Sequence, residues 1–259
     1  MYTKNDLIRD IKNLGIARED TLLVHSSMKA IGEVEGGADT VLDAFIEYME
    51  PGLLIFPTHT WSTIGNERLL FDPRTEPSCV GILTNLFMKR PGVVRSLHPT
   101  HSVAALGRDA AQYVAGEEQS DTPCSRSGCW GKLYDRHAKV LFLGCSMKKN
   151  TIIHGVEEWN DIENRLTKEH VMMQIVMPDG TIMDRPMRRH SAPIPDISSN
   201  YDKLKAPLVY LGIARCGRIG DADSVLCDVR KMVDLTSEFL KRDPDLFLDD
   251  SPVPEEWYK

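Results

Sequence analysis

The chain has 259 residues, of which 42% are hydrophobic and 27% charged, and a formal net charge of −7. That length can bury a large core, and the composition excludes a disordered chain. The acidic balance disfavours a nucleic-acid partner and is compatible with attracting a cationic small molecule.

The first sixteen residues alternate charges through apolar positions and lack the long apolar core of a signal peptide. No later run approaches membrane-spanning length, so a cytoplasmic protein with no membrane partner is expected. Residues 6–14 read as a short amphipathic helix ending at Gly15, and residues 21–24 as a strand that delivers His25, Ser26 and Ser27 at its end. A glycine-bearing loop at 32–37 leads into a helix over 38–49, whose stripe of Val41, Leu42, Phe45, Tyr48 and Met49 is core material. After Pro51-Gly52, residues 53–56 form a second buried strand with His59, Thr60 and Trp61 just past it. Residues 62–78 read as a long functional loop containing Asp72, and Leu83, Leu86 and Phe87 give the next helix a buried face. Arg95, Ser96, His98, His101 and Ser102 precede a short strand over 103–106, a helix over 108–115 and a loop over 121–131.

Residues 139–144 are an apolar run closed by a glycine, the pattern of a parallel strand covered on both faces. The helix that follows, started by Asn150 or Thr151, carries His154, Glu157, Glu158 and Asp161 at helical spacing. His154 and Glu157 share one face, so the carboxylate is expected to hold one imidazole nitrogen while the other faces the crevice. Helix dipole and carboxylate oppose each other, which predicts an imidazole poised near neutrality as a general base. The competing reading is a histidine that packs the helix start and a glutamate facing water. Residues 171–176 and 181–183 flank the turn Met177-Pro178-Asp179-Gly180 as a hairpin, expected to open a smaller carboxyl-terminal lobe from about residue 170. Then come a basic stretch at 185–190, a loop at 193–202, a strand near Ile213 and a last helix over 228–241.

Histidines 25, 59, 98, 101 and 154 all fall at or beside strand ends, where an open α/β sheet binds its ligands. A metal-dependent hydrolase would use such histidines with Asp72, but there is no His-Glu-x-x-His and the spacing is poor. No nucleophile elbow, Walker loop or dinucleotide fingerprint is present. The six cysteines are scattered, so free thiols are expected; Cys124 and Cys129, with His137, lack zinc-site spacing.

Val24-His25-Ser26-Ser27-Met28 with Gly32 and Gly36-Gly37-Ala38, Phe71-Asp72-Pro73, Arg95-Ser96-Leu97-His98-Pro99 with Ser102, and Asn150-Thr151-Ile152-Ile153-His154 with Glu157 together resemble the aminoglycoside 3-N-acetyltransferase family. The likeness runs in order from about Thr21 to Trp159, with a weaker echo at 218–223. It implies a single three-layer α/β/α domain over 1–259 with a central mixed sheet, distinct from the common acetyltransferase fold. It also implies acetyl coenzyme A as co-substrate, no metal, and a small-molecule amine as acceptor, with an aminoglycoside foremost. A homodimer is compatible with it. On this resemblance His154 matches the general base and Glu157 its orienting carboxylate. His25, Ser26, Ser27, Met28, Lys29, Arg95, Ser96, His98 and Ser102 match the coenzyme side. His59, Thr60, Trp61, Asp72 and Glu158 fall on the acceptor side, where an acidic mouth is expected. Gly155-Val156 stands where many members carry a bulkier residue followed by alanine. Lys29, Arg95 or the cluster at 185–189 would meet the coenzyme phosphates. The amides or hydroxyls at Ser26-Ser27 would meet the developing oxyanion, and transfer would be direct, since no cysteine has a nucleophile's context. Two other classes stay open: the metal hydrolase, and a protein that binds the coenzyme without turnover.

Overall fold

A computed structural model describes all 259 residues. In chain order the elements are α1 (Lys4–Asn13), β1 (Thr21–Ser26), α2 (Ala38–Tyr48), β2 (Leu53–Pro57), β3 (Leu70–Phe71), α3 (Ile82–Phe87), β4 (Val94–Arg95), β5 (Val103–Gly107) and α4 (Ala110–Val114). They continue with α5 (Cys129–Asp135), β6 (Lys139–Leu143), α6 (Thr151–Trp159), β7 (Val171–Val176), β8 (Ile182–Met187), α7 (Lys205–Tyr210), β9 (Ala214–Ile219), β10 (Ala222–Asp228) and α8 (Val229–Arg242).

Strands β1, β2 and β6 are continuous apolar runs because both of their faces are covered. They lie parallel at the centre of a seven-stranded sheet of order β4-β5-β2-β1-β6-β10-β9, with antiparallel strands on both flanks. Leu23 pairs with Ile55, and Val24 with Leu141. Alternation along each strand splits the core in two. Leu22, Val24, Leu54, Phe56, Leu141 and Leu143 pack under α1, α2 and α3. Leu23, Leu53, Ile55, Val140 and Phe142 pack under α4, α5, α6 and α8. The molecule is therefore the expected three-layer α/β/α arrangement with a mixed central sheet.

Several stretches depart from their sequence reading. The 62–78 loop contains β3, which pairs with β7 to complete a small sheet of order β3-β7-β8. Two residues are too short to show alternation; the pairing exists because Phe71 joins Ile64, Met173, Ile175 and Met187 in a separate apolar cluster. The 121–131 loop ends in α5, whose Gly131 admits the Arg126 carbonyl into the space where a Cβ would stand. The 193–202 loop is mostly a 3-10 helix, Ile197–Leu204, running into α7. The strand near Ile213 is a hairpin, β9 and β10, that adds to the central sheet beside β6. From residue 214 the chain is thus back in the main sheet, and what stands apart after residue 170 is the hairpin β7–β8 with β3.

Candidate active site

The carboxyl ends of β2, β1 and β6 open on one cavity of about 880 Å³. Gly144 closes β6 at φ +64°, where a Cβ would collide with that of Ala30, so only glycine lets this turn lie against the segment after β1. Of the candidate site residues in the sequence, His25, Ser26, Ser27, His59, Trp61, His101, His154 and Arg189 line this cavity.

His154 and Glu157 lie on one face of α6, but they do not touch directly. Nδ1 of His154 is 3.7 Å from Oε2 of Glu157, too far for a hydrogen bond. Tyr201 fills the gap, its hydroxyl 2.8 Å from His154 Nδ1 and 2.7 Å from Glu157 Oε2. The other carboxylate oxygen accepts from Arg165 Nε at 2.7 Å, in a pair that is almost fully buried. Proton counting then fixes the imidazole. A carboxylate only accepts, so the single Tyr201 proton goes to Glu157, and the hydroxyl lone pair accepts from Nδ1–H. Nε2 is left unprotonated, with no protein hydrogen bond, on the cavity side.

The imidazole is not poised near neutrality. Burial pushes His154 down from its ordinary value to about 4; Asp196 opposes the shift and Arg165 adds to it. The expected upward pull of Glu157 is cancelled because Arg165 already neutralises that carboxylate. Burial pushes Glu157 up, while Tyr201 and Arg165 hold it back. Tyr201 is pushed well above its ordinary range by burial and by Glu157, which keeps its hydroxyl a donor. His154 is therefore a neutral imidazole at pH 7.

Around it lies a stack of imidazoles. The ring of His190 stacks on His154 at 4.3 Å, His101 meets His190 edge-on at 4.8 Å, and His59 lies 4.7 Å from His101. Rings packed in this way do not converge their lone pairs, and no group of three or more His, Cys, Asp or Glu side chains is placed to hold a metal ion. His25 is 6% exposed, stacks on Phe142, and is pushed by burial to about 3, so it is no cation for a phosphate.

The remaining predicted residues stand away from the cavity wall. Met28 and Lys29 enter the 3-10 turn Met28–Ile31, where Lys29 is exposed. Arg95 is consumed by the protein: it donates to the carbonyls of Thr58, Pro73 and Glu76 and to Ser102 Oγ, and lies over Phe71. Ser96 Oγ accepts from the Val103 amide, and Ser102 Oγ donates to Thr58 O. His98 Nδ1 accepts from the amides of Thr100 and His101, while its Nε2 donates to Thr122 O, so it holds a turn. Thr60 Oγ1 donates to Pro99 O. Glu158 accepts from Thr122 Oγ1 and the Cys124 amide, pinning residues 122–124. Asp72 is held by Arg74 through Nε at 2.9 Å and Nη2 at 3.0 Å, which keeps its carboxyl below the usual range. The acidic mouth expected from these residues is not there, and Asp196 is the one carboxylate on the cavity wall.

The sequence reading missed Tyr201, Arg165, His190, Lys148, Lys149, Asn150 as a wall residue, and Asp196. For Tyr201 a signal existed, since Ile197, Tyr201 and Leu204 are the buried positions of a helical repeat. For Arg165 there was none, because its partner is set by tertiary packing.

A sequence model of the aminoglycoside 3-N-acetyltransferase family matches residues 23–241. The chain is 28% identical to aminoglycoside N(3)-acetyltransferase VII of Streptomyces paromomycinus over 262 aligned positions, covering 90% of this chain and 89% of that one. It is 29% identical over 176 positions to the aminoglycoside N(3')-acetyltransferase-like protein YokD of Bacillus subtilis, covering 60% of this chain and 64% of that one. Among solved structures, a mutant of AAC(3)-IVa in complex with a gentamicin superposes with a TM-score of 0.82 at 25% identity, covering 100% of this chain and 94% of that one. AAC-IIIb with CoASH shares the fold at a TM-score of 0.81 and 22% identity, covering 98% of this chain and 99% of that one. By its sequence and its fold alike, the chain belongs to the aminoglycoside 3-N-acetyltransferase family.

Proposed function

We propose that this protein moves the acetyl group of acetyl coenzyme A to an amine of an aminoglycoside or similar small-molecule acceptor, with His154 Nε2 taking the proton from the attacking amine. The observation that carries this reading is the chain Arg165–Glu157–Tyr201–His154, which ends on an unprotonated nitrogen at the cavity wall. An amine attacks only when deprotonated, and a neutral imidazole within hydrogen-bond reach supplies the place for its proton. As positive charge grows on His154, Tyr201 and Glu157 hold the ring and its tautomer fixed.

The cavity suits the coenzyme. Its volume lies within the range of roughly 300–1,000 Å³ usual for small-ligand sites. Lys148 and Lys149 stand on its wall beyond β6, as cations for phosphates. Asn150 Oδ1 and His25 Nε2 are buried without protein partners, one an acceptor for an amide N–H and the other a polar contact for the coenzyme arm. Acetyl coenzyme A, when bound, supplies an acyl carbon activated as a thioester. The Ser27 amide is already committed to Leu143 O at 2.9 Å, so the hydroxyls of Ser26 and Ser27 are the donors for oxyanion charge there. Two thiols near the site support direct transfer: burial pushes Cys124 well up and Cys145 to about 12, so neither is a nucleophile. On the acceptor side Asp196 is the carboxylate for an ammonium group.

Thiol release from acetyl coenzyme A in the presence of an aminoglycoside tests this. His154→Ala is expected to lower kcat by roughly 10²–10⁴ while coenzyme affinity, read by calorimetry, is kept. Tyr201→Phe is expected to lower kcat by less, leave the acceptor KM in place, and change the pH profile because the tautomer is no longer fixed. Unchanged turnover in His154→Ala would remove the base from the mechanism.

A further inference from the structure

The basic stretch at 185–190 reads in the sequence as a solvated loop or as cations for coenzyme phosphates, and the structure divides it. Arg185 donates through Nη2 to Gln119 Oε1 at 3.2 Å, and Arg188 through Nε to Thr167 O at 2.7 Å. Of the three arginines only Arg189 lines the cavity. Its backbone is fixed on both sides: its amide donates to Thr167 Oγ1 at 3.0 Å, and its carbonyl accepts from the Thr167 amide at 2.9 Å. The guanidinium donates through Nη1 to Gly65 O at 3.2 Å, which leaves Nε and Nη2 without a protein partner. No carboxylate pairs with it. A half-buried guanidinium gives up hydration, and nothing in the protein compensates the charge.

Its position assigns it to the acceptor. Gly65 belongs to the segment that follows Trp61 beyond the end of β2, whereas Lys148 and Lys149 stand beyond the end of β6, with β1 between the two strands. Arg189 also adjoins His190, whose ring lies on His154. One small molecule can therefore meet Arg189 and the base together. The cavity wall as a whole offers one guanidinium, Arg189, and one carboxylate, Asp196, and not an acidic surface.

The geometry points to Arg189 as an oxyanion subsite on the acceptor side, taking the carboxylate or phosphate of an amine whose nitrogen is acetylated at His154. The inference rests on the acetyl-transfer reading above. In the transfer the amine's N–C bond forms as the thioester C–S bond breaks, and the proton taken by His154 ends on the coenzyme thiol. Two free donors in a planar fork match an oxyanion, while an ammonium group placed there is repelled.

Matched acceptors test it in the thiol-release assay: lysine against cadaverine for a carboxylate, and phosphoethanolamine against ethanolamine for a phosphate. The native protein is expected to favour the anionic member of at least one pair in kcat/KM by roughly 10- to 100-fold, the worth of one charge-assisted contact, and the responding pair identifies the group. In Arg189→Gln that ratio is expected to collapse toward one, with Arg189→Lys between the two, since it keeps the charge and loses the fork. Melting curves of both variants separate this from misfolding, and the lysine variant still decides the question if the glutamine variant fails to fold. Equal use of both members of each pair, or a preference that survives in Arg189→Gln and Arg189→Lys, overturns the subsite. So does turnover of aminoglycosides with none of the anionic amines, which leaves the acetyl-transfer reading standing. Absence of turnover with every amine overturns both.

Discussion

Asp72 and Asp196 show how a carboxylate's neighbours decide what it is for. Asp72 lies in one of the stretches by which the sequence resembles the family, and that resemblance implies a place for it on the acceptor side. Three hydrogen bonds from Arg74, two residues on, through its amide, Nε and Nη2, satisfy it before any ligand arrives. Asp196 lies in a stretch with no motif and faces the cavity, held only by the Ser198 hydroxyl at 2.9 Å. Asp196→Asn is accordingly expected to raise the acceptor KM several-fold, the loss of one charge-assisted contact. Its left-handed backbone, φ 47°, suits asparagine as well as aspartate, so the turn should survive. Asp72→Asn is expected to leave acceptor kinetics unchanged. The reverse outcome, with only Asp72→Asn raising KM, would return the acceptor to the segment before α3. The same contrast marks what could be read in advance. His154 and Glu157 were legible because both lie on one helix, three residues apart. Tyr201 and Arg165, which connect and neutralise them, come from other segments, and no spacing rule reaches across a fold.

Arg95 binds three elements together, and its role belongs to that scale. From β4 it reaches the end of β2 through Thr58 O at 2.9 Å and the segment after β3 through Glu76 O at 2.6 Å, with its guanidinium 4.9 Å from the Phe71 ring. Removing it leaves the carbonyls of Pro73 and Glu76 without this donor and Thr58 O with the Ser102 hydroxyl alone, and each buried acceptor left unpaired costs about 1–3 kcal/mol. Arg95→Ala is therefore expected to lower the melting temperature markedly while coenzyme affinity per folded molecule is kept. Calorimetry with coenzyme A beside a melting curve separates the two, and a selective loss of affinity would restore Arg95 to the coenzyme side. The long elements were legible because periodicity accumulates over many residues: the apolar runs of β1, β2 and β6, the stripe of α2, and α8 started by Asp228, which accepts from the Lys231 amide. β3, β4 and α5 were not. They have two, two and seven residues, and tertiary pairing makes them what they are.

Across the whole molecule, the histidines gathered at the strand ends make stability depend on pH. His25, His59, His98 and His101 are each no more than 8% exposed, and burial lowers all four from the ordinary value of 6.5. The sign follows from proton counting. Below pH 6.5 the unfolded chain binds protons at these imidazoles and the folded chain does not, so stability falls as pH falls. The loss continues until the folded values are reached, about 3 for His25. Each imidazole contributes a slope of up to about 1.4 kcal/mol per pH unit. Four acting together can exhaust the roughly 5–15 kcal/mol of a typical fold within a few pH units. The melting temperature is thus expected to be level from pH 8 to about 7, to drop steeply below about 6, and to reach cooperative unfolding before the carboxylates titrate. A substitution separates this from general acid denaturation. His98→Asn keeps an acceptor for the amides of Thr100 and His101 and removes one titrating group. It should cost stability at pH 7 yet flatten the acid limb by about one proton. A limb of unchanged slope, or a melting temperature level down to pH 4, would mean that the buried imidazoles are not what limits this fold in acid.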